Sequence, residues 1–457
     1  MNDRKRTLPL LILPIETKVR EFHGKMFFSY LVALRGGKII VGEQEQLWRY
    51  ADLFPPGVYI DKSVAATRID WFRQLEKAGH QVVSWDEEGL IYFSAEVYQK
   101  LRLTEETLKR AELFFCWGEC QKEAVVANFP QFRDKVHVCG NPRFDLLRKE
   151  YRAIFQPGAD ALTKKYGSIL LINTNFSFFN HFRSKNQLKS MLACYPLAKE
   201  KSFMDGWMRY HEDGFNAFRD LLPALSKKYS DHTIVIRPHP SENHEIWSRL
   251  TDHFANVVVN AQGNVHEWIL ASDLLLHDNC TTAVEAFILG VAPFNFRKKR
   301  LEQYDNFLPR ILSHCVTTKE ELLTGFDKAL AGDESFRQMI WSEKNSNYLN
   351  YYVSGFEKAT SVDIMLNRIS ETFPEVKSTI AVKERLLNGL KLHWRNQLNR
   401  YRERVVRTDG YSQQKFSGIN SSEIIEIFRS FDKLTKQQNR FTVRKITKNI
   451  YSVCLRP

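Results

Sequence analysis

The sequence predicts an α/β fold: two consecutive blocks of alternating strands and helices, each on a parallel sheet, followed by a basic helical extension. Three observations predict it. Short apolar runs alternate with helix-period stretches through most of the chain, which is the pattern of βαβ units. Two of those runs, Ile234-Val-Ile-Arg-Pro-His-Pro-Ser-Glu242 and Ser272-Asp-Leu-Leu-Leu-His-Asp-Asn-Cys-Thr-Thr-Ala-Val-Glu-Ala286, stop abruptly in polar residues, as strands do where a parallel sheet meets a ligand. The charge is unevenly placed: the chain carries +13 overall, and residues 377–457 alone hold 18 Lys or Arg against 6 Asp or Glu.

In the first block, Leu10–Ile12, Lys38–Val41, Val58–Ile60, Gln81–Ser84, Leu113–Trp117 and Val136–Cys139 read as short buried strands. Helical stretches at Thr17–Leu34, Ala65–Ala78 and Thr104–Arg110 separate them. Gly140-Asn-Pro-Arg-Phe-Asp145 then punctuates the chain, because Gly and Asn-Pro favour a turn. The second block has strands at Ser168–Asn173, His232–Arg237, Val257–Val259, Ala271–His277 and Val291–Phe294, and helices at His211–Lys228, His244–His253, Ala283–Leu289 and Thr318–Ala331. The polar and aromatic insert Asn175–Trp207 reads as a loop. The expected domains are therefore 1–155, 156–345, helices at 346–376 that cross back to the first, and a basic extension at 377–457.

In the extension, Leu386, Leu390, Trp394, Leu398, Tyr401 and Val405 recur every three or four residues, with Arg385, Lys391, Arg395 and Arg402 off the stripe. This is a basic amphipathic helix. Two uses stay open: lying on an anionic membrane surface, or packing on the main body with its charged face in water. No run approaches a membrane span, and the interrupted Leu8–Ile15 run reads as a first strand rather than a leader. The seven cysteines are scattered, which fits a reducing cytoplasm and gives no zinc pattern. No glycine-rich dinucleotide or phosphate loop is present, and no nucleic-acid reading module is visible.

Chemistry concentrates at strand ends. Pro238 and Pro240 stiffen the turn that presents Arg237 and His239, both able to bond phosphate oxygens. Thr281 or Thr282 caps the next helix, whose first N–H groups favour an anion; Asn279 lies just before it, and Glu285, in its first turn, is placed to accept from ribose hydroxyls. The run Asp86-Glu87-Glu88-Gly89 crowds three acids, and crowded acids raise one another's pKa, which suits a general base. An ordinary turn, cap or solvated acid run would use the same residues. Glu16, Lys18 and Arg20 follow the first strand, and Arg143 lies in the Gly140 turn, so these four are candidates for the acceptor side of a cleft.

Taken together, Ile12-Leu-Pro-Ile-Glu16, Pro55-Pro-Gly-Val-Tyr-Ile-Asp-Lys62, Asp86-Glu-Glu-Gly89, Phe114-Phe-Cys-Trp-Gly118, Gly140-Asn-Pro-Arg-Phe-Asp-Leu-Leu147, Arg237-Pro-His-Pro240 and His277-Asp-Asn-Cys-Thr-Thr282 resemble the bacterial surface carbohydrate biosynthesis protein family. That resemblance implies a GT-B fold, two Rossmann-like domains facing a cleft, and a place in capsule or O-antigen synthesis. A more distant similarity, to GT-B sialyltransferases and Kdo transferases, rests on an acidic pair before Gly, then His-Pro, then a Ser/Thr pair. It implies that Glu87, or Asp86 or Glu88 beside it, deprotonates the acceptor. It also implies that His239, Pro240, Thr281 and Thr282 hold the CMP of the donor.

The expected activity is transfer of a sugar from a nucleotide donor, a CMP-linked ulosonic acid, onto a glycan or lipid-linked saccharide, with no metal and no cofactor. The expected location is cytoplasmic, peripheral at the inner membrane through the basic tail, with no nucleic-acid partner. A CDP-glycerol-type glycerophosphotransferase or a nucleotide-sugar 2-epimerase shares this fold and stands as the alternative enzyme. A non-catalytic assembly protein of the same fold stands as the third.

Overall fold

The computed structural model describes residues 8–92, 94–184, 186–188, 200–356, 359–373, 391, 394–395 and 415–456. Two compact units emerge: Met1–Glu88 with Arg102–Tyr151 and Val353–Pro457, and Gly89–Leu101 with Arg152–Tyr352.

The first unit is built on an eight-stranded sheet in the order β13 (Phe441–Thr447), β14 (Ile450–Leu455), β2, β1, β3, β4, β5, β6. Its parallel strands are β1 (Leu11–Ile15), β2 (Lys38–Glu43), β3 (Val58–Asp61), β4 (Gln81–Trp85), β5 (Ala111–Cys116) and β6 (Val136–Val138). All of β1 and β3 is buried, as expected for near-continuous apolar strands covered on both faces. The chain runs from β1 to β2 in one direction and from β3 onward in the other, so the order reverses between β1 and β3.

The first helix, α1 (Lys18–Leu34), lies over this sheet. Gly24 lets the Gly140–Asp145 turn rest directly on it: a Cβ there would come within 2.9 Å of the Arg143 backbone. That turn is in turn fixed by Asp145, which accepts from the Ser361 N–H (2.9 Å), the Ser361 hydroxyl (3.0 Å) and the Val362 N–H (3.2 Å) at the start of the helix Ser361–Thr372.

The carboxyl-terminal region corrects the sequence reading. It was expected as a helical extension, yet it closes the first sheet with an antiparallel hairpin, β13 (Phe441–Thr447) and β14 (Ile450–Leu455), laid against β2. Gly42 is required there, since a Cβ would meet the Asn449 carbonyl at 2.3 Å, and Asn449 itself turns with φ 58°. Before the hairpin, the helix Ser421–Thr435 buries Ile424, Ile427, Phe428 and Phe431. Phe431 packs on Phe27 at 5.3 Å, and Tyr30 donates to Asp432 at 2.8 Å. An aromatic seam of this kind contributes about 0.5–1.5 kcal/mol per ring pair beyond burial. Most of the amphipathic stripe, Leu386, Leu390, Leu398, Tyr401 and Val405, lies outside the described residues. Its remaining member, Trp394, is exposed, and Arg395 beside it pairs with Asp52 at 2.7 Å.

The second unit holds a six-stranded sheet, all parallel, in the order β12-β11-β10-β7-β8-β9. Its strands are β7 (Ile169–Asn173), β8 (Thr233–Arg237), β9 (Val257–Val259), β10 (Leu274–His277), β11 (Ala292–Phe296) and β12 (His314–Val316). Here the reversal falls between β7 and β10. In open parallel sheets the crevice at such a reversal is where ligands bind, past the carboxyl ends of the strands.

Candidate functional site

Each unit places a polar cluster at its own reversal point, and the two clusters differ in kind. In the first unit, β1, β3 and β4 end in Glu16, Lys62 and the Asp86–Glu88 run. Nearly every charge there is paired. The Lys62 ammonium contacts the Glu16 carboxylate, whose other oxygen accepts from Lys415 at 3.1 Å. Asp86 is fully buried and bonded to Arg102, and its backbone carbonyl accepts from the Trp117 indole at 2.7 Å. Glu87, also buried, accepts from the Trp85 indole at 2.7 Å and lies 3.1 Å from the Lys25 ammonium, which in turn covers the Trp85 ring at 4.0 Å. Glu88 reaches out to Arg20 at 2.8 Å.

This pairing corrects the expectation that crowding lifts the acids toward neutrality. Burial alone would raise Glu87, but Lys25, Arg143 and Arg20 outweigh it and hold the carboxyl down at about 2. Arg20, against an opposing contribution from burial, holds Glu88 far below the usual carboxylate range, with help from Arg102 and Lys62. Raised acids near them are Asp61, which burial pushes up, and Glu21, which burial and the neighbouring Glu87 push up; Glu21 is the one on α1. The Glu21 carboxylate accepts the N–H groups of Glu16 and Thr17 at 3.0 and 3.2 Å, so it caps the start of α1. Burial also draws Lys62 down to about 8.

The remaining first-unit candidates divide. Arg20 belongs to the cluster. Arg143 lies beside it, buried, with its guanidinium 5.6 Å from the Trp117 ring centre, and it pulls on Glu87. Lys18 does not join: it donates to the Gly418 carbonyl at 2.6 Å and pairs with Glu423 at 2.7 Å, holding the carboxyl-terminal helix. It points there because the first residue of α1 faces the helix Ser421–Thr435 rather than the sheet edge.

In the second unit the strand ends are mostly neutral. Register puts Arg237, Asn173, His277 and Asn295 side by side at the ends of β8, β7, β10 and β11. Asn173 is buried, and neither its amide nitrogen nor its amide oxygen has a partner. An unsatisfied buried amide costs roughly 1–3 kcal/mol, so Asn173, open in both directions at a reversal point, is a candidate to meet a ligand. Sequence reading passed over Asn173 because it ended a plain strand; only the neighbouring polar ends give it meaning.

The His239 turn is rigid. Glu242, wholly buried, accepts from the Thr174 hydroxyl (2.8 Å), the Phe176 N–H (2.9 Å), the Trp247 indole (2.9 Å) and the His239 N–H (3.3 Å). The Ser241 N–H donates to His239 Nδ1 at 3.2 Å, which leaves the proton of the neutral ring on Nε2. His239 and Pro240 are half-buried. Across β7, Asn279 adopts φ 47°; its carbonyl accepts from Asn306 at 3.0 Å, while its amide nitrogen is buried without a partner. The helix Thr282–Leu289 begins here, with half-buried Thr281 at its N-cap and Thr282 as its first residue. Neither hydroxyl caps the helix as expected: the Thr281 side chain makes no cap bond, and the Thr282 hydroxyl lies 2.6 Å from the Cys280 sulfur.

Two predicted donor ligands do other work. The Arg237 guanidinium is enclosed by the carbonyls of Asn260 (3.1 Å), Gln262 (2.6 Å), Ala261 (3.4 Å) and Gly263 (3.1 Å) and lies over Trp268. It shapes the loop after β9 instead of reaching a phosphate. Glu285 is buried, 3.5 Å from His266, because the first turn of its helix faces the core. Beneath the site, Asp278 is held by Arg297 at 2.5 Å, and burial lifts its carboxyl to about 6 against that pull. Among the described residues no group of His, Cys, Asp and Glu could hold a metal ion, and no helix is long and apolar enough to cross a membrane.

No family model and no curated protein matches this chain. Solved structures do. A variant of the wall teichoic acid polymerase TagF is similar with TM-score 0.52 and 13% identity over 80% of this chain and 89% of that one. A TagF variant soaked with CDPG gives 0.51 and 11% over 81% and 90%. The S. aureus MnaA structure with UDP gives 0.50 and 11% over 80% and 96%. At these identities the likeness is one of fold, and it makes the architecture GT-B-like: two parallel-sheet α/β domains.

Proposed function

We propose that this chain is a GT-B-type transferase that takes a nucleotide-activated donor and serves the assembly of a bacterial surface glycan. The observation that carries the reading is Asn173, buried and open in both directions at the reversal point of the second sheet, between the rigid His239 turn and the start of the helix Thr282–Leu289. On this reading His239 donates from Nε2 to the donor phosphate and stabilises the charge left on the departing nucleotide. The hydroxyls of Thr281 and Thr282 and the helix start bind the same phosphate, and the amides of Asn173 and Asn279 bind donor oxygens. Pro240 keeps the turn rigid; Arg237 acts through the loop after β9, and Glu285 from within the core.

The finer reading is a CMP-linked ulosonic acid as donor, supported by the order Glu87-Glu88-Gly89, His239-Pro240, Thr281-Thr282. A second reading, a CDP-glycerol-type phosphotransferase, is supported by the similarity of fold to TagF. On either reading Glu87, held at about 2, is a poor acceptor for the proton of the attacking hydroxyl near neutral pH. In either case we take the acceptor to be a glycan or lipid-linked saccharide at the inner-membrane surface. Exposed cations of the carboxyl-terminal region, Arg444 and Lys445 among them, would hold the enzyme there, at roughly 1 kcal/mol per Lys or Arg near an anionic leaflet.

The test is donor turnover. The purified chain is incubated with a CMP-linked ulosonic acid, CDP-glycerol or UDP-N-acetylglucosamine plus membrane-extracted glycan, and nucleotide and product are followed by mass spectrometry. Release of CMP from one cytidine donor, reduced at least about tenfold in a folded His239→Ala variant, supports the proposal and decides between its two forms. Conversion of the UDP sugar without transfer would replace it with an epimerase, and no change in any donor would contradict it.

A further inference from the structure

We propose that the first unit carries a subsite for one anionic group of the acceptor, a carboxylate or a phosphate, formed by Arg20, Lys62 and Arg102, and that Glu88 occupies it until that group arrives. This rests on the transferase reading for the word acceptor; the subsite itself rests on the exposed Arg20–Glu88 pair, with Lys62 and Arg102 at the adjacent strand ends.

The three acids of the run are not equivalent. Asp86 and Glu87 are buried, but the Glu88 side chain is 44% exposed. An anion at the Glu88 position is therefore reachable from solvent, and the positions of its neighbours are not. Arg20 lies 2.8 Å from the Glu88 carboxylate; Arg102 and Lys62 stand at the neighbouring strand ends, bonded to Asp86 and Glu16, and add to the pull that keeps Glu88 ionised.

Each of these cations is also gripped from behind by a second carboxylate. Asp86 holds Arg102, Glu16 holds Lys62, and Glu21 lies 3.5 Å from Arg20. Glu16 is itself braced by Lys415 from the carboxyl-terminal region. The cations thus stay in place when Glu88 leaves, and the Arg20 Nε is buried without a partner. The bond that must break is one exposed ion pair, which solvent screens. The group that replaces it gains a planar guanidinium able to bind carboxylate or phosphate through two parallel bonds. The cluster sits at the β1–β3 reversal, where a parallel sheet binds ligands. Glu88 then acts as a built-in competitor that admits an anionic saccharide and leaves a neutral one without a reason to bind.

Calorimetric titration of the full chain with glucuronate, glucose 6-phosphate and glucose tests this. The expected result is binding of one or both anions, which tells carboxylate from phosphate, and no binding of glucose. Glu88→Gln is expected to tighten anion binding about fivefold, the effect of removing one competing surface charge. Arg20→Gln is expected to weaken it by at least as much, and added salt to weaken it in the unaltered chain even if that variant folds poorly. Unchanged or weaker anion binding in Glu88→Gln, or glucose binding as well as the anions, overturns the proposal. CMP and CDP titrated on the same samples separate the two ideas. Anion behaviour as described without nucleotide binding keeps the subsite and fails the transferase reading; the reverse fails the subsite alone.

Discussion

The two sheet reversals are built from opposite materials. At β1–β3, charges neutralise one another in pairs: Glu16 with Lys62, Asp86 with Arg102, Glu87 with Lys25, Glu88 with Arg20. At β7–β10, neutral groups dominate the edge, and Asn173 and Asn279 keep buried amide atoms unsatisfied. A buried charge must bring its partner with it, because desolvation is too costly otherwise. A neutral amide can wait for a ligand at modest cost. The first edge thus neutralises its charges in pairs before any ligand arrives, while the second leaves neutral amide atoms open.

The sharpest way to break this comparison is to strand one buried carboxylate in each unit. Lys25→Met takes away the ion-pair partner of Glu87 and leaves only Arg143 and Arg20 acting on it, and removing one partner of a buried pair costs roughly 3–5 kcal/mol. Arg297→Met does the same to Asp278, but burial has already lifted that carboxyl to about 6, so it takes up a proton and escapes part of the penalty. Urea unfolding should show Lys25→Met as the more damaging at pH 7, and the Arg297→Met defect shrinking at pH 5. Equal, pH-independent losses would contradict the distinction.

The pH dependence carries the same contrast with opposite signs. The Asp278 carboxyl binds its proton more tightly folded than unfolded, so its contribution grows as pH falls from about 6 toward its ordinary value near 4. The Glu87 carboxyl binds its proton less tightly folded, so its contribution is full above that range and is lost as pH falls toward about 2. Asp278→Asn should flatten the stability profile between pH 4 and 6 and leave the acid limb below pH 4 in place.

A smaller effect is expected at Arg237. Replacing it with Leu leaves four carbonyls of the Asn260–Gly263 loop short of a donor, at about 2 kcal/mol; nucleotide affinity should fall because the loop after β9 is released. Smallest is Lys18→Ala. Its partly exposed pair with Glu423 is worth about 0.2–1 kcal/mol, and nucleotide binding should not change.

The fold was legible because its signals are local. β1, β3 and β10 are short apolar runs, and the polar residues that end them mark the edge at which ligands bind. The hairpin Phe441–Leu455 leaves a weak signal, because Arg444, Lys445 and Lys448 interrupt the alternation of Phe441 and Val443 with Tyr451 and Val453 around the Lys448-Asn449 turn. Of the site, His239 and Thr281–Thr282 could be chosen from their own neighbourhood, where proline and a helix start constrain the chain. Arg237 could not be assigned, since its partners are carbonyls of residues 260–263 and carbonyls leave no mark in a sequence. Asn173 was invisible for a related reason: its meaning is the absence of a partner, which only the register of β7 with β8 and β10 reveals. The state of the acids also depended on distant residues, Lys25 and Arg20 on α1, that no spacing along the run itself could supply.

The measurement that tests the central claim most directly is a thermal-shift titration of the unaltered chain, Asn173→Ala and His239→Ala with CMP, CDP, UDP and GDP. A ligand that binds only the folded state raises the transition in step with ln(1 + [L]/Kd). The account predicts that at least one cytidine nucleotide stabilises the unaltered chain and that both substitutions abolish most of that shift. Asn173→Ala should at the same time leave the ligand-free protein as stable as before or more so, since it removes an unsatisfied buried amide. No shift with any nucleotide, or a shift that survives both substitutions, would contradict a nucleotide site at the β7–β10 reversal.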